Sequence, residues 1–226
     1  MSFPLPPHDA SATPPGHAGC TSDTLTPLQR LALGVLRAVV PTYHGLSVVG
    51  DARLPASGPA IIASNHTSAL DPLIIQTLTP RLIRWMCARE YTQIPGTAPF
   101  WRAAEVIPVR RDGRDAAALR AALRVLDRGQ LLGVFPEGRL QPTRELLPLQ
   151  PGVALLVRQR PVPVVPVWID GIQRRQPLLQ SLLLPQDATV CVGPPLSLDP
   201  ADPDPLAQLA RRLDQLRETS NTSSAA

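Results

Sequence analysis

Apolar residues along this chain recur at two different spacings. From Thr26, the residues Leu28, Leu31, Ala32, Val35 and Val39 follow helical spacing, with Gln29, Arg30 and Arg37 off the stripe. That pattern predicts a short basic amphipathic helix over residues 28–40. Compact apolar runs then predict strands at 46–49, 60–63, 82–88, 106–109, 131–135, 163–169 and 188–192. Helical stretches fall between them. Residues 70–78 form one, and 114–128 another, with Leu119, Leu123 and Leu126 on one stripe and Gly129 as the stop. A further helix is expected near 153–158 and a closing helix at 205–218. Such alternation predicts an α/β fold: a mixed, largely parallel sheet flanked by helices on both faces.

Composition limits this picture at its ends. Residues 1–24 are rich in Pro, Ser, Thr, Gly and Ala, and 219–226 read Thr-Ser-Asn-Thr-Ser-Ser-Ala-Ala, so both are expected to be disordered tails. Residues 25–218 are left as a single domain that opens on the amphipathic helix. With 226 residues, 44% of them hydrophobic, the chain is long enough for one full core. Its 28 prolines imply many rigid turns. The chain contains no lysine, so all 22 basic residues are arginine, whose planar fork suits phosphate. A net charge of +4 with only 4% aromatics favours phosphates or acidic lipid and argues against nucleic acid. Cys20, Cys87 and Cys191 are widely spaced and odd in number, which points to a reducing cytoplasm rather than a disulfide framework or zinc site. The first ten residues lack the pattern of a signal peptide, and no apolar run approaches bilayer length. Neither a leader nor a membrane span is expected.

Three polar motifs follow predicted strands. Ser64-Asn65-His66-Thr67-Ser68-Ala69-Leu70-Asp71-Pro72 sets an imidazole and a carboxylate on either side of a strand-to-helix turn. The imidazole titrates near neutrality and takes a proton, while the carboxylate fixes its tautomer and stabilises the imidazolium, which makes a general base. Ser64, Thr67 and Ser68 lack a nucleophile elbow and are expected to cap the helix instead. Ile107-Pro108-Val109-Arg110-Arg111-Asp112-Gly113-Arg114 supplies an arginine-rich loop fit for a phosphate or for a solvated turn. In Phe135-Pro136-Glu137-Gly138-Arg139, opposite charges flank a glycine where backbone can approach a ligand. Because ligands of open α/β sheets sit at the carboxyl ends of strands, these three motifs are expected to be neighbours. His8, His17 and His44 suggest no metal set, and no metal or cofactor is expected.

Taken in order, these blocks resemble those of the glycerolipid acyltransferase family, in particular the 1-acyl-glycerol-3-phosphate (lysophosphatidate) acyltransferases. Asn65 to Pro72 is similar to the family's Asn-His-x-Ser-x-x-Asp-Pro signature. Ala88-Arg89-Glu90-Tyr91 with Ile94-Pro95, Ile107 to Arg111, Phe135 to Gly138, and Val162-Pro163-Val164-Val165-Pro166-Val167 resemble its further blocks. Two departures stand out. Glu105 occupies a position where the family often has glycine, implying a different local backbone, and Arg139 follows Gly138 directly where Thr-Arg is usual. The resemblance implies a glycerol-3-phosphate acyltransferase-like fold. It also implies acyl transfer from an acyl thioester, either acyl-CoA or an acyl-carrier protein, to a glycerolipid hydroxyl, giving phosphatidate in phospholipid biosynthesis. Catalysis would fall to His66 and Asp71, and acceptor binding to Arg111, Glu137, Gly138 and Arg139, with Arg110 beside them. Another lysophospholipid or amino-acid lipid acceptor is an alternative, as is a non-catalytic lipid- or carrier-binding protein. Lipid substrates imply work at a membrane surface from the cytoplasmic side. The helix at 28–40 and the arginine-then-leucine stretch 174–184 are the docking candidates, each with a buried core helix as its alternative.

Overall fold

The computed structural model describes residues 24–50, 54–111, 115–141, 143–172 and 183–223. Its centre is one seven-stranded sheet. The strands are β1 (Ser47–Gly50), β2 (Ala60–Ser64), β3 (Ile83–Ala88), β4 (Ile107–Val109), β5 (Leu131–Val134), β6 (Val164–Asp170) and β7 (Thr189–Val192). They lie in the order β1-β7-β6-β2-β5-β3-β4. Among the described strands only β6 and β7 pair antiparallel, so β2 to β6 all point their carboxyl ends at one edge. Among the described residues the helices are α1 (Pro27–Tyr43), α2 (Asp71–Gln76), α3 (Arg89–Thr92), α4 (Ala98–Ala103), α5 (Ala116–Asp127), α6 (Gly152–Gln159) and α7 (Pro205–Ser223). The mixed, largely parallel sheet matches the expectation from the apolar pattern.

Period-two alternation divides each strand between two cores. Ile61, Ala63, Leu132, Val134 and Val164 face α5, α6 and α7, where they meet Ala122, Leu126, Leu156, Val157, Leu209 and Leu213. Ala60, Ile62, Leu131, Val165 and Val167 face the other way, toward Val40 of α1 and Leu70, Ile74 and Ile75 around α2. Strands covered on both faces read as continuous apolar runs, which is why the sequence exposed them so clearly.

Four helices show what the sequence pattern left open or did not expect. The helix α1 packs through Gln29, Leu33 and Val40, not through the stripe read from the sequence. That stripe points outward: Leu28 is 67% exposed, Leu31 66%, and Val35 and Val39 54% each. Gln29 is buried because its amide donates to the Ala103 carbonyl and to Glu105 Oε1, at 2.9 and 3.0 Å. The closing helix runs on to Ser223, into the stretch expected to be tail. There Ser220 is fully buried, and Thr219 and Thr222 donate back to the carbonyls of Gln215 and Glu218. The short helices α3 and α4 were not expected at all.

Glu105, in the glycine position, keeps a left-handed backbone at φ 49°. That conformation costs a non-glycine residue roughly 1–2 kcal/mol. Its side chain offsets this by pairing with the buried Arg84 at 2.9 Å and by accepting the Gln29 amide. The backbone at Glu105 thus adopts a conformation that favours glycine. At the amino edge of the sheet, Arg81 donates to the carbonyls of Pro55, Gly58 and Gly129 at 3.0, 2.9 and 2.6 Å. A single guanidinium therefore ties together the chain entering β2, β5 and β3.

Candidate active site

The site is assembled where β2 gives way to α2. His66 Nδ1 lies 2.9 Å from Asp71 Oδ2. That oxygen also accepts the backbone N–H groups of Thr67, at 2.6 Å, and Ser68, at 2.9 Å. The other oxygen of Asp71 accepts the Thr67 hydroxyl at 3.1 Å. A carboxylate so surrounded by donors requires Nδ1 to carry its hydrogen, which leaves Nε2 as the basic nitrogen. Asp71 is fully buried, while the His66 side chain keeps 19% of its exposure. The imidazole is therefore anchored from inside and still reachable from solvent.

Ser64, Thr67 and Ser68 are not caps for α2, whose N-cap is Leu70 without a side-chain bond. Instead Thr67 serves Asp71, Ser68 Oγ accepts from the Leu70 N–H, and Ser64 ends β2 in the core. The buried Asn65 is clamped to β6, accepting from the Ile169 N–H at 2.8 Å and donating to its carbonyl at 2.9 Å. That clamp holds the turn in place as it leaves the sheet.

The loop after β5, the strand next to β2, supports the site from the other side. Glu137 is 2% exposed and turned inward. One of its oxygens accepts the His66 N–H at 3.3 Å and the Gln141 amide at 2.9 Å, and the other accepts the Leu147 N–H at 3.0 Å. Burial pushes the Glu137 carboxyl up from its usual range, against those three donors and the nearby imidazole. Gln141 closes the circuit, its own N–H donating to the His66 carbonyl at 2.6 Å and its side chain meeting Asn65. The Glu137 carboxylate is thus committed to holding the His66 backbone. Gly138, at φ 69°, turns the chain so that Arg139 emerges exposed.

Arg110 and Arg111 lie elsewhere. They follow β4, three strands across from β2 in the sheet order, which is about 14 Å at the usual strand spacing. Arg111 pairs with Glu90 at 3.2 Å and stands over the Tyr91 ring at 5.9 Å, both on α3. Arg110 turns to Asp115, whose carboxyl is held below its usual range by the N–H groups of Arg110 and Ala118 at the start of α5. The sheet therefore brings His66, Asp71 and Glu137 together and leaves the two arginines at its edge. Asp112, Gly113 and Arg114 lie outside the described residues, as do 174–182 of the second docking candidate.

Sequence reasoning missed Gln141, Trp85 and Phe135 as parts of the site. The His66 ring stacks on Phe135 with centroids 3.8 Å apart and planes 11° apart, and Phe135 stacks on Trp85 at 4.6 Å and 14°. The stack depends on the strand register that sets Trp85 opposite Gly133, which the sequence pattern does not reveal. Among the described residues, no group of three His, Cys, Asp or Glu side chains is placed to hold a metal ion.

An α/β sheet with a carboxylate-oriented imidazole at its carboxyl edge is an arrangement that can take a proton from a hydroxyl. The acyltransferase family model matches residues 45–170, more than half of the chain, and the chain belongs to that family. It is 23% identical over 145 residues to the 1-acyl-sn-glycerol-3-phosphate acyltransferase of Bacillus subtilis, covering 64% of this chain and 72% of that protein. Against the human 1-acyl-sn-glycerol-3-phosphate acyltransferase alpha it is 28% identical over 172 residues, 74% of this chain and 60% of the human one. The Drosophila melanogaster tafazzin is 28% identical over 160 residues, with 64% of this chain and 42% of that protein covered. The chain thus spans about three fifths of its human relative's length. The crystal structure of the 1-acyl-sn-glycerophosphate acyltransferase of Thermotoga maritima superposes with a TM-score of 0.67 at 20% identity, over 84% of this chain and 81% of that one.

Proposed function

We propose that the protein moves an acyl group from an acyl thioester to the free hydroxyl of 1-acyl-glycerol-3-phosphate, giving phosphatidate. The observation that carries this reading is the His66–Asp71 pair, buried at Asp71 and open at His66. Nε2 takes the hydroxyl proton as the oxygen attacks the thioester carbon. The C–S bond then breaks, and the imidazolium returns the proton to the departing thiolate. The thioester is already activated, so no acyl-enzyme intermediate is needed. Relatives named as acyltransferases for this acceptor support the choice of substrate. Coenzyme A or an acyl-carrier protein delivers the acyl group, and no cofactor takes part. Exposed Arg139 binds the acceptor phosphate near His66, with Arg111 and then Arg110 contributing from the sheet edge. Gly138 gives the loop its approach, and Glu137 serves by fixing the His66 backbone.

The test is to supply the purified protein with mixed lysophospholipids and a labelled acyl thioester, then identify the product by mass spectrometry. Phosphatidate is the expected product. Arg139→Ala should raise KM for the phosphate-bearing acceptor several-fold and leave a dephosphorylated one unaffected. Arg139→Lys should recover part of the loss, since charge survives but the fork does not. Equal effects on both acceptors would remove Arg139 from phosphate binding.

The same reading has the protein work on a membrane surface. Among the described residues, no helix is long and apolar enough to cross a membrane. The outward stripe Leu28, Leu31, Val35 and Val39 supports α1 as the docking element, with exposed Arg30 and Arg37 beside it. Burying such a side chain is worth about 1.5–3 kcal/mol, against about 1 kcal/mol for each arginine at an acidic surface. The apolar stripe should therefore dominate. In co-sedimentation with anionic vesicles, Leu31→Glu with Val35→Glu should abolish binding. Raised salt, or Arg30→Glu with Arg37→Glu, should weaken it only in part. Unchanged binding by the double glutamate variant in the stripe would reject α1 as the docking element.

A further inference from the structure

A hydrogen bond fixes one atom of an imidazole but not the plane of its ring. The terminal torsion of histidine is broad, so a ring held at Nδ1 alone can tilt about that contact and swing Nε2 away from its target. In this protein the plane is fixed by something else. His66 lies nearly parallel on Phe135, at 3.8 Å and 11°, and Phe135 lies nearly parallel on Trp85, at 4.6 Å and 14°. Trp85 is 6% exposed and belongs to the core shared with α1 and α2, so the bottom ring is packed into that core.

The bottom ring also has a seat. Trp85 on β3 is directly opposite Gly133 on β5. A Cβ at Gly133 would lie 2.4 Å from the indole and 2.8 Å from Ile83. Its φ is not positive, so space for the indole, not backbone freedom, requires glycine here. Gly133 and Phe135 are two apart on one strand path and so share a face. The indole lies over the glycine, the phenyl stands beside it, and the imidazole covers the phenyl.

We propose that Phe135, braced by Trp85 over Gly133, is a positioning residue that sets the plane of the His66 imidazole and stabilises its protonated form. This rests on the reading of His66 as the base. The aromatic face carries negative charge, so the contact strengthens when the imidazole lying on it becomes cationic. That happens as the acceptor proton is transferred, so the stack favours the transition state over the resting enzyme. Asp71 and Phe135 thus act on different freedoms of the same ring. Asp71 fixes the tautomer and one point of the imidazole, and Phe135 fixes its plane.

The experiment measures kcat and KM for the acceptor alongside the ¹H spectrum of the His66 ring, identified by its absence in His66→Ala. In the wild type, the His66 ring protons should lie upfield of the other histidines through the ring current of Phe135. In Phe135→Leu, that shift should vanish and kcat should fall about 5- to 30-fold, with KM changed less than about twofold. Phe135→Tyr, which keeps the face, should restore both the shift and most of kcat. Gly133→Ala, whose methyl would meet the Trp85 indole first, should reproduce the leucine phenotype by displacing Trp85. Wild-type spectra without the upfield shift would overturn the proposal, whatever the variants do. Folded Phe135→Leu with wild-type kcat would overturn it too, as would equal losses in the leucine and tyrosine variants. Retained turnover in His66→Ala would instead refute the base assignment while leaving the stack itself in place.

Discussion

Replacing His66 by alanine is expected to lower kcat by roughly 10²–10⁴-fold, the usual contribution of a positioned general base. The fold should survive the change. His66 belongs to neither apolar cluster, and its side chain keeps part of its exposure at the end of the sheet. Asp71 would lose one donor and retain the Thr67 and Ser68 N–H groups and the Thr67 hydroxyl. Thermal melting of the variant should therefore stay close to wild type while turnover collapses. Turnover within a few-fold of wild type in a folded sample would disprove proton abstraction by His66.

Asp71 should respond differently to two substitutions, because it serves both the reaction and the turn. Asp71→Ala strands the buried N–H groups of Thr67 and Ser68, along with the imidazole, without an acceptor. A buried donor left unpaired costs about 1–3 kcal/mol, so the two backbone groups alone could remove a large part of a typical 5–15 kcal/mol. Asp71→Asn should fold far better. Its oxygen can take the crowded Oδ2 position and its NH₂ the Oδ1 position, where the Thr67 hydroxyl can turn to accept. The negative charge that stabilises the imidazolium is nevertheless gone, so kcat should fall steeply in both variants. Denaturant unfolding with turnover assays separates the effects. Equal destabilisation by alanine and asparagine would show that the donors found other acceptors.

The elements buried on both faces were the most legible in the sequence. The runs at 60–63, 131–135 and 163–169 emerge as β2, β5 and β6 within a residue or two, because strands covered on each side are apolar throughout. His66 and Asp71 were legible for a related reason: both sit on a turn whose local geometry is set by neighbouring residues in the chain. Less was legible wherever strand order decided the outcome. The sequence offered Arg111 and Glu137 as equal neighbours of His66, yet β5 lies beside β2 while β4 lies at the edge. Glu137 was expected to help hold the acceptor, yet its carboxylate is buried and accepts from His66, Gln141 and Leu147, donors that only the packed loop brings to it. The stripe of α1 left two readings open, a docking face or a core face. Apolar residues line much of that helix, and periodicity cannot tell which side the sheet occupies. The short α4 carried one usable signal, Thr97 before a proline in its first turn.

The Arg81 tie gives the molecule a mechanical asymmetry. Its guanidinium pins the entrances of β2, β5 and β3 to one another, while their exits carry the loops of His66 and Glu137 and the short helix α3. The ladders between these strands carry that alignment from entrance to exit, with Ala63 paired to Val134 and Trp85 to Gly133, so a tie made far from the catalytic edge helps to keep the loops of His66 and Glu137 in register with one another.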